Sequence, residues 1–280
     1  MHFPVAVLFW LVAPAYQTKG YMSALDRLLV RGALLGTALL SAGPALAGAL
    51  TDVLPSVKPA IVGIGTMLPT RAPPVVFMAT GFVVGDGLSV ISNAHAVAAP
   101  LSASGETLGI VTGSGSQLQF RAATVAAIDR EHDLVHLRLT GTPLPALRLE
   151  SEAPKEGSEL AFTGFPLGIM LGMVPATHRA TLAAISPSVL PAVNSRGLNA
   201  RAVSQLQKPA FTIFQLDGTA YPGNSGSPLF DPTTGAVVGV INMTVLKGNR
   251  EGAIATPSGI SYAIPARHVA ELLRQSPAGK

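Results

Sequence analysis

The sequence predicts an all-β protein, a sandwich or barrel, with one helix at its C-terminal end. Three observations lead there. Short runs rich in Val, Ile, Thr and Phe recur from about residue 58 onward. Turn formers (Gly, Pro, Asn, Asp) break them. No long stretch of helical periodicity lies between them, which argues against βαβ units. A chain of 280 residues can form one large domain or two closely packed halves.

In chain order, the folded pattern opens near Leu50. LTDVLPSVKPAIVGIGTM reads as a short helix stopped at Pro59, followed by a strand. Further strands are PVVFMATGFVV, LSVIS, QLQFRAATVAAID, DLVHLRL, ELAFTGF, FTIFQL, GAVVGVINMTVL and GISYAI, all enriched in β-branched and aromatic residues. The segment Ser186–Pro209 has mixed character and reads as a long surface loop, where function or motion concentrates. PARHVAELLRQ closes the chain as a helix: Pro265 suits a first helical position, and Val269, Leu272 and Leu273 fall at helical spacing. No internal repeat of motif strength is present.

Residues 1–47 read as an address rather than as fold. From Met22 a basic stretch (Arg27, Arg31) leads into an apolar run and then Ala45-Leu46-Ala47, the small-residue pattern of an export cleavage site. The expectation is a bacterial export signal cut after Ala47, with Met22 the true start. The earlier run FPVAVLFWLVAPAY is too short to span a bilayer comfortably. The mature chain is then periplasmic or secreted. An uncleaved membrane anchor over Gly32–Leu50 is the alternative, weakened by its many Gly and Ala residues.

Composition excludes several classes. There is no cysteine, hence no disulfide, thiolate metal site or cysteine nucleophile. Apolar residues make up 48% and charged residues 12%, which excludes a disordered or highly charged chain. The net charge of +4 is partly carried by Lys19, Arg27 and Arg31 of the leader, and no Lys/Arg run occurs, so nucleic acid is not the expected partner.

The chemistry-bearing stretch is AYPGNSGSPLF, residues 220–230. Alone, it is made of turn residues. It is not the G-x-S-x-G elbow of α/β-hydrolases, because Ser227 stands where the second glycine would be. If Ser225 is a nucleophile it needs a histidine base and a carboxylate to orient that base. His2 lies in the leader, His268 in the terminal helix and His178 at a loop or strand end. His136 alternates with Leu137 and Arg138 and is expected to point outward, and His132 lies in the charged turn DREHD. His95 differs: VISNAHAV ends a strand and starts a helical turn, with Asn93 available as a cap. Asp133 opens a strand on the face shared by Val135, Leu137 and Leu139, where a buried carboxylate must be paired. Asp129 is expected to be solvated, and Asp217 to hold the loop ahead of Ser225. The His132/His136 pair lacks a third ligand, so no metal is expected.

GFVVGDGLSVISNAHAV, DREHDLVHLRL, GFPLG, QLDGTAYPGNSGSPLF, GAVVGVIN and GISYAIPARHV occur in the order found in chymotrypsin-fold serine proteases. From about Leu50 to Arg274 the chain resembles the bacterial HtrA/Deg-type, trypsin-like endopeptidases. The resemblance implies two six-stranded antiparallel β-barrels, about 58–150 and 151–264, with a terminal helix over 265–275. It also implies His95 as general base and acid, Asp133 as its orienting carboxylate and Ser225 as nucleophile. The backbone of Gly223, Asn224 and Ser225 would form the oxyanion hole, with the N–H groups of Gly223 and Ser225 as donors. The specificity pocket would be lined by Thr219, Ala220, Ile241, Asn242 and Met243. No Asp or Glu falls at its base and no histidine on its strand, so small or medium aliphatic side chains are expected there. The implied partners are unfolded or flexible polypeptides, no cofactor is implied, and relatives often form trimers.

Three departures stand out: Ser227 after Ser225-Gly226, no PDZ domain expected after the terminal helix, and a longer Ser186–Pro209 segment. The alternative to an exported endopeptidase is a catalytically silent protease fold serving as a binding or chaperone module. The complete triad argues for the enzyme, since a retired protease commonly loses one of the three.

Overall fold

The computed structural model describes residues 48–98, 105–113, 117–188, 211–242 and 259–275. The leader, Met243, and all of the Ser186–Pro209 segment except its first residues and neighbours up to Ser188 lie outside them. The described chain begins with α1 (Gly48–Val57), a 3-10 turn (Lys58–Ala60) and β1 (Ile61–Met67), the helix, proline stop and strand expected from the sequence. Then come β2 (Val75–Val84), β3 (Ser89–Asn93), the one-turn helix α2 (His95–Ala98), β4 (Thr107–Thr112), β5 (Gln119–Asp129) and β6 (Leu134–Leu139). The second half carries β7 (Glu159–Gly164), a 3-10 turn (Gly168–Leu171), β8 (Ala176–Pro187), β9 (Thr212–Asp217), β10 (Pro228–Phe230), β11 (Val237–Asn242), β12 (Ile260–Pro265) and α3 (Ala266–Gln275).

These strands form two closed antiparallel barrels of six, as the resemblance implies. The first has the order β1-β2-β3-β6-β5-β4 and the second β10-β11-β12-β9-β8-β7. Closure removes the free edges on which open sheets aggregate. It needs local bends, and each barrel has two register shifts: Ile64/Gly65 and Val125/Ala127 in the first, Leu182/Ala184 and Leu229/Phe230 in the second. β4, β8 and β10 carry the weakest sequence signals, being glycine-interrupted, alanine-rich and only three residues long respectively.

The second barrel is filled by Leu160, Phe162, Leu182, Phe214, Leu216, Leu229 and Ile241, among others. The first barrel's core (Ile64, Phe82, Val90, Ile110, Leu137) runs on without a break into Phe165, Phe230 and Val240 of the second half, and into Val57 of α1 and Val269 and Leu272 of α3. The two barrels therefore share an apolar face. A ribbon after β6 stitches them together. Leu147 pairs with Val84 and Leu149 with Val237, and the Leu147 N–H donates to the Val83 carbonyl at 2.9 Å.

α3 packs against β5, β6 and β11. Its first residue is Ala266, because Pro265 still pairs with Gly239 as the last residue of β12. β6 is also more enclosed than its alternation suggested. His136, expected to face outward, is 5% exposed, since both faces of this strand are covered. Burial holds its imidazole below the usual pKa.

Phe82 and Phe214 are fully buried, one in each barrel. Truncating either to alanine is expected to cost about 3–5 kcal/mol in urea unfolding, whereas Leu118→Ala on the surface should change stability by less than about 0.5 kcal/mol.

Candidate active site

Asp133, ahead of β6, is bonded to His95 after β3 and to Asn242 at the end of β11, and β11 is bonded in turn to the turn between β9 and β10 that carries Ser225. Asp133 stands one residue ahead of β6, at φ 54°. Aspartate tolerates this left-handed region better than most residues. Its side chain is 22% exposed rather than on the buried face of a strand, because the chain turns before the strand begins. The expectation of pairing applies in another form, since three donors converge on the carboxylate. His95 Nδ1–H donates to Oδ2 at 2.6 Å, the His95 backbone N–H to Oδ1 at 2.9 Å, and the Asn242 amide to Oδ2 at 2.9 Å. With Asp133 accepting at Nδ1, the neutral imidazole keeps its lone pair on Nε2, the nitrogen a general base uses.

Asn93 does not cap α2. Its amide donates to the Asp133 carbonyl at 3.1 Å beside the Ala94 N–H at 3.0 Å, and its Oδ1 has no partner among the described residues. The end of β3 therefore grips the aspartate's backbone while the start of α2 grips its carboxylate.

Ser225 lies in the glycine-rich turn, 9% exposed, and the turn is tied at both ends. On the incoming side, the Gly218 N–H donates to the Gly259 carbonyl at 2.9 Å, and the Ser261 hydroxyl bridges the Gly218 carbonyl and the Ala220 N–H. On the outgoing side, the Gly226 N–H donates to the Ile241 carbonyl and the Ile241 N–H to the Ser227 carbonyl, both at 2.9 Å. The residue after Ile241 is Asn242, whose amide holds Asp133. The same strand end thus carries the serine turn on one residue and the aspartate on the next.

The sequence reading missed Thr80, a fully buried polar residue in β2. Its N–H donates to the Ser225 carbonyl at 2.9 Å, and its hydroxyl donates to the Gly223 carbonyl at 2.7 Å. The same hydroxyl accepts the Phe165 N–H at 3.0 Å, and its carbonyl accepts the Ser92 hydroxyl at 2.7 Å. A threonine inside the apolar run VVFMATGFVV was the available signal.

Two glycines are obligatory here. Gly223 has φ 100° and a Cβ would lie 2.3 Å from the Phe165 carbonyl oxygen. Gly226 has φ 83° and a Cβ would lie 2.1 Å from the Thr80 carbonyl oxygen. Ser227 has a matching explanation. It is fully buried, and its hydroxyl fills the space over Gly164, 2.0 Å from where a Cβ of that residue would be.

Of the three backbone groups named for an oxyanion hole, the Asn224 N–H is engaged by the Tyr221 carbonyl at 2.9 Å. Among the described residues, the N–H groups of Gly223 and Ser225 have no intramolecular acceptor. These two donors flank Asn224, one of them being the serine's own N–H, and unengaged backbone N–H groups are the kind of donor an oxyanion uses.

Of the residues expected to line a specificity pocket, Thr219 and Ala220 are half-buried in the turn, and Ile241 is buried in the second barrel's core. Asn242 turns its amide to Asp133, and Met243 lies outside the described residues. Asp217 is exposed at the end of β9. Asp129 is not solvated as expected. Its carboxylate accepts the N–H groups of Glu131 and His132 at 3.0 Å and the His132 ring at 2.6 Å. Burial acts to raise its pKa, but these bonds outweigh it and hold the carboxyl below its usual range. His178 is an early residue of β8, stacked on Phe162 at 4.9 Å.

Gly164→Ala is expected to be strongly destabilising in urea unfolding, and Ser227→Gly in the same chain to restore most of the loss; additive effects would dissociate the pair. Thr80→Val should cost about 1–3 kcal/mol, since it strands the Gly223 carbonyl and the Phe165 N–H. Thr80→Ser should cost less.

No curated protein matches the chain. The trypsin-like peptidase domain matches residues 79–240, more than half of it. Among solved structures, the active form of the Rv3671c protease from M. tuberculosis is 23% identical, with a TM-score of 0.58, covering 85% of this chain and 88% of that one. Its inactive form is 22% identical, with a TM-score of 0.58 and coverages of 84% and 97%. The HtrA-type protease AlgW, in a structure with a tripeptide, is 19% identical, with a TM-score of 0.56 and coverages of 80% and 62%. At such identities the likeness speaks for the fold, and it agrees with the two closed barrels seen here. The domain match, running from β2 to β11, places the chain in the trypsin-like peptidase family: it is a serine endopeptidase.

Proposed function

We propose that the protein is an exported endopeptidase that cleaves peptide bonds with a Ser225–His95–Asp133 triad. The observation that carries this reading is the Asp133 carboxylate on His95 Nδ1 at 2.6 Å, bound also by the His95 N–H and by Asn242. That arrangement presents Nε2 as the base. Nε2 takes the Ser225 proton as the hydroxyl oxygen attacks the scissile carbonyl, and the carbonyl oxygen becomes an oxyanion facing the Gly223 and Ser225 N–H groups. The protonated imidazole, stabilised by Asp133, then delivers its proton to the leaving amine, and an acyl-enzyme remains on Ser225. Water activated by the same Nε2 hydrolyses it.

The substrates are unfolded or flexible polypeptides, the class that the resemblance to HtrA/Deg-type endopeptidases implies. A small or medium aliphatic side chain suits the primary pocket. Ala220 packs against the cluster that holds Ile241 and Phe162, and no acidic residue stands among the pocket positions. The basic, apolar and A-x-A segments ahead of Gly48 support export.

A fluorophosphonate probe should label the protein at Ser225 and fail to label Ser225→Ala; labelling that persists in the variant would refute the assignment. Asp133→Asn should lower kcat by about four orders of magnitude while leaving the fold intact. Peptides with Val or Ala before the scissile bond should exceed their Arg counterparts in kcat/KM by about tenfold or more.

A further inference from the structure

Immediately ahead of Asp133 stands His132, whose ring lies face to face with the ring of His268 on α3, centroids 3.7 Å apart and planes 17° from parallel. Phe211 meets the His132 ring edge-on at 4.6 Å. Both imidazoles are well enclosed, with side chains 14% and 9% exposed. His132 is fixed in its own turn by Asp129, and His268 in its own helix by Glu271, whose Oε2 lies 3.0 Å from His268 Nδ1. The stack therefore joins two locally rigid pieces, the C-terminal helix and the turn that delivers Asp133, alongside the apolar packing of that helix on β5 and β6.

Asp133 needs such support. Its φ of 54° is held only where both flanks are constrained. On its C-terminal side the constraint is β6, with Asn93 and Ala94 on its carbonyl. On its N-terminal side it is His132. We propose that His268 is a positioning residue for the Asp133 carboxylate, acting through the stacked ring of His132, and that it does so only as the neutral imidazole. This inference rests on the reading of Asp133 as the triad carboxylate.

The protonation requirement follows from the hydrogen bonds. His268 Nδ1–H donates to Glu271, so Nε2 carries the lone pair and accepts the Arg267 Nε–H at 3.3 Å. A proton on Nε2 would face that guanidinium donor and set a cation against the His132 ring. The charged groups that meet the stack are Asp129 from the β5–β6 turn and Arg267 and Glu271 from α3. Arg130 and Glu131 in that turn are exposed; β6 offers the buried His136 and the half-buried Arg138, which is bound by Asp86. β11 carries no ionisable side chain, and β12 only Tyr262.

The same sign comes from energetics. Burial depresses the His268 pKa most, the Glu271 hydrogen bond opposes it, and the neighbouring His132 and Arg267 add to the depression, so the net direction is downward. Protons therefore prefer the undocked form. Docking is at full strength above the unfolded value near 6.5 and weakens as the pH falls through it toward the lower docked value.

Amide exchange decides the matter on the full chain carrying Ser225→Ala, with rates corrected for intrinsic pH dependence. Segment 129–134 should lose about tenfold in protection between pH 7.5 and pH 5.5. His268→Phe keeps a stacking ring that cannot be protonated, and should abolish that pH dependence. His268→Ala should lose the protection at both pH values. Equal protection of the parent at both pH values, or the same acid loss in His268→Phe, overturns the proposal. In the chain with Ser225 intact, the acid limb of fluorophosphonate labelling should follow two protons in the parent and one in His268→Phe; a one-proton limb in both also overturns it. If Asp133→Asn leaves labelling untouched, the triad reading fails by itself, while the exchange result still judges the stack.

Discussion

Thr80 is fully buried at the seam between the barrels, and each of its polar groups has found a protein partner. A buried threonine can offer an N–H, a carbonyl and a hydroxyl that both donates and accepts. Here two of those bonds reach the serine turn, one reaches Phe165 at the end of β7, and one returns to Ser92 just ahead of His95. A buried polar group left unmatched costs more than its bond contributes, so this network forms as a whole or not at all. The Ser225 turn belongs to the second barrel and His95 to the first, and Thr80 is bonded both to that turn and to the strand that leads to His95.

The aspartate is placed by the same logic with charge added. A partly enclosed carboxylate requires donors, and Asp133 draws them from α2 and from β11. Asn242 is informative because it follows Ile241, the residue that zips the serine turn to β11. One strand end then ties the serine turn to Asp133, while β3 and α2 tie Asp133 to His95. Side chains placed from the ends of strands and helices are held more precisely than side chains on loops.

The departure at Ser227 becomes a packing statement once its neighbour is known. A serine stands there because Gly164, across in β7, has no side chain and leaves the volume its hydroxyl occupies. Likewise the turn glycines at 223 and 226 answer to carbonyl oxygens of Phe165 and Thr80, not to local turn preference alone. The chemistry of the AYPGNSGSPLF stretch is thus shaped by residues from both barrels.

Strand pattern, turn residues and the order of histidine, aspartate and serine were readable in the chain, because each is a local property. Alternation marks a strand, Gly-x-Ser-Gly marks a bend, and α1, the Pro59 stop and most strands fell where the pattern put them. Contacts that depend on what arrives from elsewhere were not readable. His136 looked outward by alternation, yet it is enclosed because β6 is covered on both faces. Asp129 looked solvated, but the turn folds His132 and two N–H groups onto it. Nothing in the sequence around Asn242 announced that its amide would reach Asp133 across the chain. The sequence by itself determined the fold class and the chemical types at the site, since side-chain period and residue chemistry are written one residue at a time. Only the tertiary structure decided how Thr80, Asn242, Ser227 and the His132–His268 stack are used, because burial and hydrogen-bond partners are properties of pairs far apart in the chain.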